Sequence, residues 1–357
     1  MRQKKIKVLH GMVEIGGQTA NSARGLRKNK VDAKSAIYEK NFYFDLPNDY
    51  TLDTDLSHKK NVPLSIIKMF SFFIFTLFKF NVFHFHFGRS LLPKNYDLKI
   101  LKLLKKTIIL EFRGSDLRVA SLAKQINPYS NQIEKNEHLK IKNNKYRVEY
   151  ADGIVLHDTE LLPYLPKSNV PVCIIPSRPV IDKIIPTPIV ENTKIKIVHS
   201  PTNRRMKGSD KICEVINQLQ KKYDIDFILV EGKSNQEAFK IYKTADIIID
   251  QLNTGAYGVF AIECMALGKP VITYIMDDMK KSYPESLPII SASEKNLSQV
   301  LTELINNEQL RVEANTNGPK YVSKYHDYIK TTKIMKSFYE DVVNNRSTIF
   351  RDGFKEL

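Results

Sequence analysis

The chain has 357 residues, which is too long for one ordinary hydrophobic core and is the length of two domains. Hydrophobic residues make up 42% and charged residues 26%, a composition that indicates a soluble globular protein and excludes a disordered one. The three cysteines lie far apart without a CxxC pair, so we expect a reducing compartment and no thiol-bound metal.

The net charge of +16 is concentrated in the first half of the chain. Residues 1–180 hold 30 Lys and Arg against 16 Asp and Glu, whereas residues 181–357 hold 25 against 23. This asymmetry predicts that the first half faces something anionic, such as a membrane surface or a phosphate-bearing acceptor. A generally Lys-rich surface is the alternative. Nothing resembles an RNA- or DNA-binding module, so no nucleic-acid partner is expected.

Short apolar runs alternate with helical segments, which is typical of buried parallel strands in βα units. The basic N-terminus leads into a short apolar run that predicts a first strand rather than a signal peptide. The runs that predict strands are residues 6–10, 81–87, 107–112, 153–157, 194–199, 226–230, 246–250 and 270–274. Helices are expected at residues 19–27, 209–223, 235–243 and 259–267, and residues 321–344 are expected to form a polar helical tail.

Residues 64–79 predict a helix that is apolar most of the way round, with lysines at both ends and five phenylalanines. Its uncharged span, residues 69–78, is too short to cross a bilayer. We expect this helix to be buried in the core, with a position in a membrane interface as the alternative.

A proline-punctuated stretch, residues 176–188, separates two series of βαβ units and predicts an interdomain linker. The expected domains are residues 1–178 and 179–330, followed by a helical tail of residues 331–357 that packs back toward the first domain. The predicted fold class is α/β, with two Rossmann-like doubly wound domains.

Gly16 and Gly17 form a turn between the first strand and the first helix. Glycines there let backbone amides approach an anion, and the helix dipole favours negative charge at the same place. The pattern is not GxGxxG, so the dinucleotide-binding fingerprint is absent. A tight turn is the alternative interpretation.

A second cluster places Arg204, Arg205 and Lys207 after a predicted strand and before a Gly-Ser helix start. At the carboxyl edge of a parallel sheet, two guanidinium groups and an ammonium group are suited to binding a diphosphate.

The third cluster, residues 246–271, is a strand, a glycine-containing loop, a helix and a Gly-Lys-Pro turn. Glu263 stands among apolar residues of that helix, where a carboxylate is costly unless it is paired. Ribose hydroxyls are one natural partner, and a structural salt bridge is the other.

Together the second and third clusters resemble the donor-binding half of GT-B glycosyltransferases of the large retaining GT4-like group. In that family a Glu-x7-Glu motif contacts the donor; its second Glu matches Glu263, and its first falls on Gly255. The resemblance implies that the backbone amides of Tyr257, Gly258 and Val259 contribute to donor recognition. It also makes Arg205 and Lys207 the pair on the diphosphate, with Arg204 as an alternative partner because the spacing is short.

In the first half, residues 83–88 resemble the family's strand ending in His-x-His-x-Gly, and residues 111–118 resemble a turn that carries a His near the transferred sugar. Arg113 occupies that place here. The resemblance therefore leaves Asp116 and His86 as candidates for the acceptor side, with Arg113 beside them in the expected catalytic region.

The resemblance implies a retaining, metal-independent transfer from a nucleotide-sugar donor to a glycan or lipid-linked acceptor in cell-surface polysaccharide synthesis. No metal and no cofactor are expected, because Arg204, Arg205, Lys207 and the Gly16-Gly17 amides would stabilise the leaving diphosphate. We expect a cytoplasmic protein, with contact at the anionic inner face of the membrane left open. A catalytically silent nucleotide-sugar-binding subunit and a nucleotide-sugar 2-epimerase remain the alternatives.

Overall fold

The computed structural model describes residues 5–40, 46–188, 193–346 and 349–357. The chain divides into two compact units. The first contains residues 1–119, 136–180 and 327–357, and the second contains residues 120–135 and 181–326.

Strands and helices alternate along almost the whole chain. The strands are β1 (Lys7–Gly11), β2 (Asp32–Ile37), β3 (Tyr50–Thr51), β4 (Val82–His86), β5 (Thr107–Phe112), β6 (Gly153–Leu156), β7 (Val172–Ile174), β8 (Ile195–His199), β9 (Ile225–Leu229), β10 (Ile247–Ile249), β11 (Val271–Ile272) and β12 (Phe350–Asp352). The helices are α1 (Gln18–Lys28), α2 (Val62–Lys79), α3 (Asp97–Leu103), α4 (Ala120–Ile126), α5 (Glu137–Tyr150), α6 (Arg204–Lys207), α7 (Ser209–Leu219), α8 (Asn235–Lys243), α9 (Val259–Ala266), α10 (Asp277–Lys280), α11 (Leu297–Asn306), α12 (Glu308–Tyr325) and α13 (Tyr328–Val343).

The sheet of the first unit has eight parallel strands in the order β12-β7-β6-β5-β4-β1-β2-β3. From β1 the chain adds β2 and β3 on one side and then crosses to add β4 on the other. The strand order therefore reverses beside β1, and a ligand crevice is expected at the carboxyl ends of β1 and β4.

The second unit has a parallel sheet of four strands in the order β11-β10-β8-β9. Here the order reverses between β8 and β10, so the loops after these two strands meet at the same edge. Ile197, Ile212, Ile247, Leu252 and Leu301 belong to the buried apolar cluster of this unit.

The unit boundaries differ from the expected domains chiefly in one segment; residues 179–180 and 327–330, expected in the second domain, also fall in the first unit. Residues 120–135, expected in the first domain, belong to the second unit. Local contacts account for this placement: the Asn127 side chain donates to the carbonyl of Asn253 at 3.0 Å, and the ring of Tyr129 lies edge-on to Tyr274.

The expected helical tail is two helices rather than one. Helix α12 ends at Tyr325, and Asp327 caps the start of α13 by accepting the backbone N–H groups of Ile329 and Lys330. Helix α13 is not polar throughout, because Met335, Phe338 and Tyr339 are buried in the core of the first unit.

Helix α13 packs directly against α1 through Gly25. A Cβ atom at Gly25 would lie 2.3 Å from Thr332 Oγ1 and 2.4 Å from the carbonyl oxygen of Tyr328. Glycine at this position thus permits the close approach of the two helices.

Helix α2 was expected to be buried in the core, but the structure buries only one side of it. Ser65, Met69, Phe73 and Thr76 form its buried stripe, and the opposite side carries large exposed apolar residues. Together with the preceding turn, residues 59–79 form the one helix in the described part of the chain that is long and apolar enough to span a membrane by length and composition.

Candidate functional site

The two clusters predicted from the second half meet at the strand-order reversal of the second unit. The loop after β8 contains Arg204, Arg205 and Lys207, and the loop after β10 runs to α9. The amide of Leu252 donates to the carbonyl of Lys207 at 3.1 Å, which joins the two loops.

Lys207 forms an ion pair with Asp250, whose side chain is completely buried. Asp250 Oδ2 has no hydrogen-bond partner among the described residues. Gly208, at φ +76°, allows the two loops to approach closely, because a Cβ there would meet Asn253 Oδ1 at 2.2 Å. Lys207 is therefore fixed at the sheet edge by a buried carboxylate.

The two arginines of the same loop are more exposed than Lys207. Arg204 lies 3.4 Å from Asp210 and 3.3 Å from Glu231, and 44% of its side chain is exposed. Arg205 is exposed and forms no ion pair within the described ranges. These cations are available to an anionic ligand at little desolvation cost.

His199, at the end of β8, is part of the scaffold beneath this loop. Its Nδ1 lies 2.8 Å from the carbonyl oxygen of Ile249 and its Nε2 lies 2.8 Å from Ser209 Oγ. Burial lowers the pKa of His199 to about 4, so the imidazole is neutral and links β8, β10 and the start of α7.

The N-terminus of α9 is open. Gly258 is its N-cap residue, no side chain caps the helix, and a Cβ atom at Gly258 would meet nothing within 4 Å. The first amides of the helix, beginning with Val259, have no intrahelical acceptor, and they carry the positive end of the helix dipole. This end of α9 can accept phosphate or sugar oxygens.

Glu263 lies one turn further along α9, and only 8% of it is exposed. It has no hydrogen-bond or ion-pair partner among the described residues, so the salt bridge considered as an alternative is not present there. Burial raises the pKa of Glu263 to about 8. Helical side chains tilt toward the N-terminus of their helix, which at Glu263 is the direction of the open first turn.

Gly255 and Tyr257 are structural residues of the same loop. Gly255 has φ +87°, and a Cβ atom there would lie 2.5 Å from Met276 Cγ. A glutamate at this position would be strained by the positive φ and would require the Met276 side chain to move, so this loop conformation suits glycine. The Tyr257 hydroxyl is buried and lies 3.0 Å from that of Tyr321 and 3.1 Å from His326 Nε2.

In the first unit, the N-terminus of α1 already holds a carboxylate. The amides of Thr19 and Ala20 donate to Glu14 Oε1 and Oε2 at 3.2 and 3.0 Å. Gly16 and Gly17 form the predicted turn, at φ +58° and +78°. The anion bound by the first turn of α1 is thus a side chain of the chain itself, which the sequence pattern did not reveal.

A buried polar network lies on the face of the first sheet that α1 and α13 cover. Its members are His10, His84, His86, Glu111, Arg178 and Tyr339. Arg178 Nη2 donates to Glu111 Oε2 at 2.5 Å, and His84 Nε2 lies 3.1 Å from the same oxygen. Although burial opposes ionisation, Arg178 holds the pKa of Glu111 well below its usual range.

The three histidines of this network place their ligating nitrogens within 4.8 Å of one another. Burial lowers the pKa of each, so all three are neutral. His10 bonds to His86 at 2.9 Å, and Tyr339 bonds to His84 and His10. These contacts pair one nitrogen of His84 and one of His86, whereas His84 Nε2 and His86 Nδ1 have no hydrogen-bond partner among the described residues. Two arginines lie beside Glu111, and their positive charge opposes a divalent cation there.

The three expected catalytic residues have different surroundings. His86 is only 1% exposed and faces His10 and Glu111, so it belongs to the buried network. Arg113 binds Glu111 at 3.1 Å and Ser177 at 2.8 Å. Asp116 Oδ1 accepts the amides of Arg113 and Gly114, and its Oδ2 has no partner in the described part of the chain.

A cavity of about 460 Å³ opens at the strand-order reversal of the first unit. Its walls come from the segments after β1, β2 and β4 and from the loop that leads into α2. Its charged lining residues are Glu14, Glu39, Lys40, Asp55 and Arg89. This cavity is suited to a polar ligand of sugar size.

No family model matches the chain. Over 144 residues, it is 25% identical to an uncharacterized glycosyltransferase of Methanocaldococcus jannaschii. The match covers 39% of this chain and 41% of that relative, less than half of either protein.

Solved structures match over nearly the full chain. Sucrose-phosphate synthase from Thermosynechococcus elongatus aligns with TM-score 0.65 at 10% identity, covering 95% of this chain and all of that one. Anabaena HepE in complex with UDP and glucose aligns with a TM-score of 0.61 at 10% identity, covering 94% of this chain and all of that one. UDP-GlcNAc 2-epimerase from Neisseria meningitidis, bound to UDP-GlcNAc, aligns with a TM-score of 0.55 at 15% identity, covering 93% of this chain and 99% of that one.

These similarities confirm the predicted fold class. The chain has the two-domain Rossmann-like fold of GT-B proteins.

Proposed function

We propose that the protein is a glycosyltransferase that binds a nucleotide-sugar donor in its second unit. One observation carries the proposal: Glu263, buried and without a partner, stands one turn from the open N-terminus of α9. That turn lies at the strand-order reversal, where Lys207 also lies. The relative from Methanocaldococcus jannaschii is named a glycosyltransferase, which supports the reaction class.

Each part of this site has a chemical counterpart in a nucleotide-sugar. The hydroxyls of a ribose donate to the Glu263 carboxylate, which relieves the cost of its burial. Lys207, Arg205 and Arg204 neutralise the diphosphate, and the first amides of α9 add fixed dipoles. The structures of HepE were solved with UDP, UDP-glucose, or UDP and glucose, which supports a uridine nucleotide as the first donor to test.

Metal independence is proposed from the same charges. The three cations stabilise the negative charge that develops on the leaving diphosphate, so the transfer proceeds without a metal ion. A retaining hexosyl transfer to a glycan or lipid-linked acceptor of a cell-surface polysaccharide, on the cytoplasmic side, completes the proposal. The cavity of the first unit holds the acceptor. Asp116, which has an unpaired oxygen but does not line that cavity, is the candidate for accepting a proton.

Nucleotide-sugar 2-epimerisation is the second candidate function, because several of the similar structures are UDP-GlcNAc 2-epimerases. An epimerase would use the same nucleotide site but would return its substrate to solution with the nucleotide still attached. Binding alone therefore does not separate the two functions, whereas the fate of the sugar does.

The donor site is tested by thermal unfolding with a panel of nucleotides and nucleotide-sugars, with and without EDTA. A ligand at a hundredfold excess over its Kd stabilises the folded state by about 2.7 kcal/mol and raises Tm by about 5–10 °C. We expect such a shift with one nucleotide family, unchanged by EDTA, and an affinity about tenfold lower in Glu263→Gln and Lys207→Ala.

The matched control is Glu303→Gln, an exposed glutamate of the same unit, which should bind like the original protein. If no ligand shifts Tm, or if Glu303→Gln weakens binding as much as Glu263→Gln, the donor site is not where we place it.

A further inference from the structure

The outer side of α2 is an exposed apolar stripe. Leu64, Ile67, Phe70, Ile74 and Phe78 recur every three or four residues and are between 40% and 87% exposed. The most apolar 18 consecutive residues within 59–79 have a mean hydropathy of 1.7, and only 22% of them are buried. A stripe of this length on a helix surface requires a covering partner.

The charges of the segment that holds this stripe are mainly positive, although Asp53 and Asp55 lie just before α2 and Asp152 pairs with Lys102 of α3. Between residues 56 and 110 the chain carries ten lysines and arginines and a single acid, Asp97, which is fully buried. Lys59 and Lys60 precede α2, and Lys79 ends it, all three exposed. An apolar stripe flanked by lysines complements an anionic lipid surface, where the rings enter the acyl boundary and the ammonium groups contact phosphates.

The exposed apolar surface continues beyond α2. Lys106 Nζ donates to the carbonyl oxygens of Leu77 and Phe80 at 2.6 and 2.8 Å, so the segment after α3 lies beside the end of α2. Leu103 and Leu104, at the end of α3, are 73% and 50% exposed. The surface therefore includes the ends of two neighbouring helices.

The position of α2 in the fold decides its orientation on a membrane. It connects β3 and β4 of one sheet, and Ser65 near its start bonds to the backbone of Asp55 at 2.9 and 3.0 Å. Phe73 and Met69 on its inner side are buried. Both ends of α2 are thus held on the sheet, so the helix lies along a surface and does not cross it.

We propose that this face, formed by α2 and the end of α3, docks the protein on an anionic phospholipid membrane. The docking does not depend on the proposed function. A second copy of the chain is a poorer occupant, because pairing the face with itself would bring lysines against lysines. The cavity of the first unit borders the loop that leads into α2, so docking places a sugar-sized pocket next to the lipid headgroups.

The test is flotation of the purified full chain with vesicles of phosphatidylcholine alone or mixed with phosphatidylglycerol. We expect flotation with the anionic vesicles, a loss as salt rises, and at least about a tenfold loss in the double variant Phe70→Ser/Phe78→Ser. Lys59→Gln/Lys60→Gln should weaken binding to the anionic vesicles. The control is Ile185→Ser, an isoleucine of the second unit that is 76% exposed, which should float like the original protein.

Sedimentation velocity without lipid tests whether a second copy of the chain covers this face instead. A dimer that Phe70→Ser/Phe78→Ser converts to monomer would assign the face to a second copy and overturn the proposal. Absence of flotation with anionic vesicles, or equal flotation of the double variant and Ile185→Ser, would overturn it as well. Nucleotide-sugar binding is unaffected by either result, so the two proposals fail separately.

Discussion

At the scale of single residues, the sequence identified candidates for binding the nucleotide-sugar donor, but it did not reveal which residues contact one another in the fold. Glu263 stood out as an acid among apolar neighbours, and the structure leaves it buried and unpaired. By contrast, Glu14 at the start of α1 and Tyr339 beside His84 make contacts that no local pattern signals. Tyr339 and His84 are separated by 255 residues, a pairing that only the folded sheet creates.

Glu263 should make stability depend on pH when no ligand is bound. Its pKa is raised from 4.5 to about 8, so the unfolded chain loses this proton well before the folded protein does. Stability is therefore lost as pH rises from about 4.5 toward about 8. Glu263→Gln removes the effect and should gain about 2–5 kcal/mol relative to the original protein between pH 5 and pH 8.

Urea unfolding at a series of pH values measures this difference. Glu303→Gln, at an exposed position, should keep the original pH dependence. Parallel curves for Glu263→Gln and the original protein would contradict a raised pKa at this site.

At the scale of helices and strands, apolar runs predicted the central strands within one or two residues. Strand β2 was not predicted because Asp32, Lys34 and Ser35 interrupt its apolar pattern. The exposure of α2 was also unexpected, since an all-round apolar sequence favours burial. The structure buries one stripe of that helix and leaves the remainder for a partner.

The contact between α1 and α13 predicts that replacing a helical glycine by alanine lowers stability, the opposite of the usual effect. Ala normally stabilises a helix interior by about 1 kcal/mol over Gly. At Gly25 the added methyl group would overlap Thr332 and the Tyr328 carbonyl, so Gly25→Ala should destabilise the protein by about 1–3 kcal/mol. Chemical denaturation measures the change, with exposed Lys28→Ala on the same helix as a near-neutral control. A more stable Gly25→Ala variant would mean that the two helices do not pack this closely.

At the scale of the whole molecule, two βαβ series predicted two Rossmann-like units, and the structure has them. The sequence did not predict that residues 120–135 belong to the second unit, because the chain leaves the first unit and returns to it without a change in composition. What the site does chemically depends on which bond of the bound ligand is broken. That question can be answered with the intact protein.

The most direct test of the proposed reaction follows the sugar of the nucleotide-sugar that binds best. The donor, labelled in the sugar, is incubated with the protein and a panel of oligosaccharide and lipid-linked acceptors. We predict that label enters an acceptor with an equal release of nucleoside diphosphate, and that Glu263→Gln slows this transfer about tenfold or more. Formation of the C2 epimer with the nucleotide still attached, or tight binding without turnover on any acceptor, would contradict the transferase assignment.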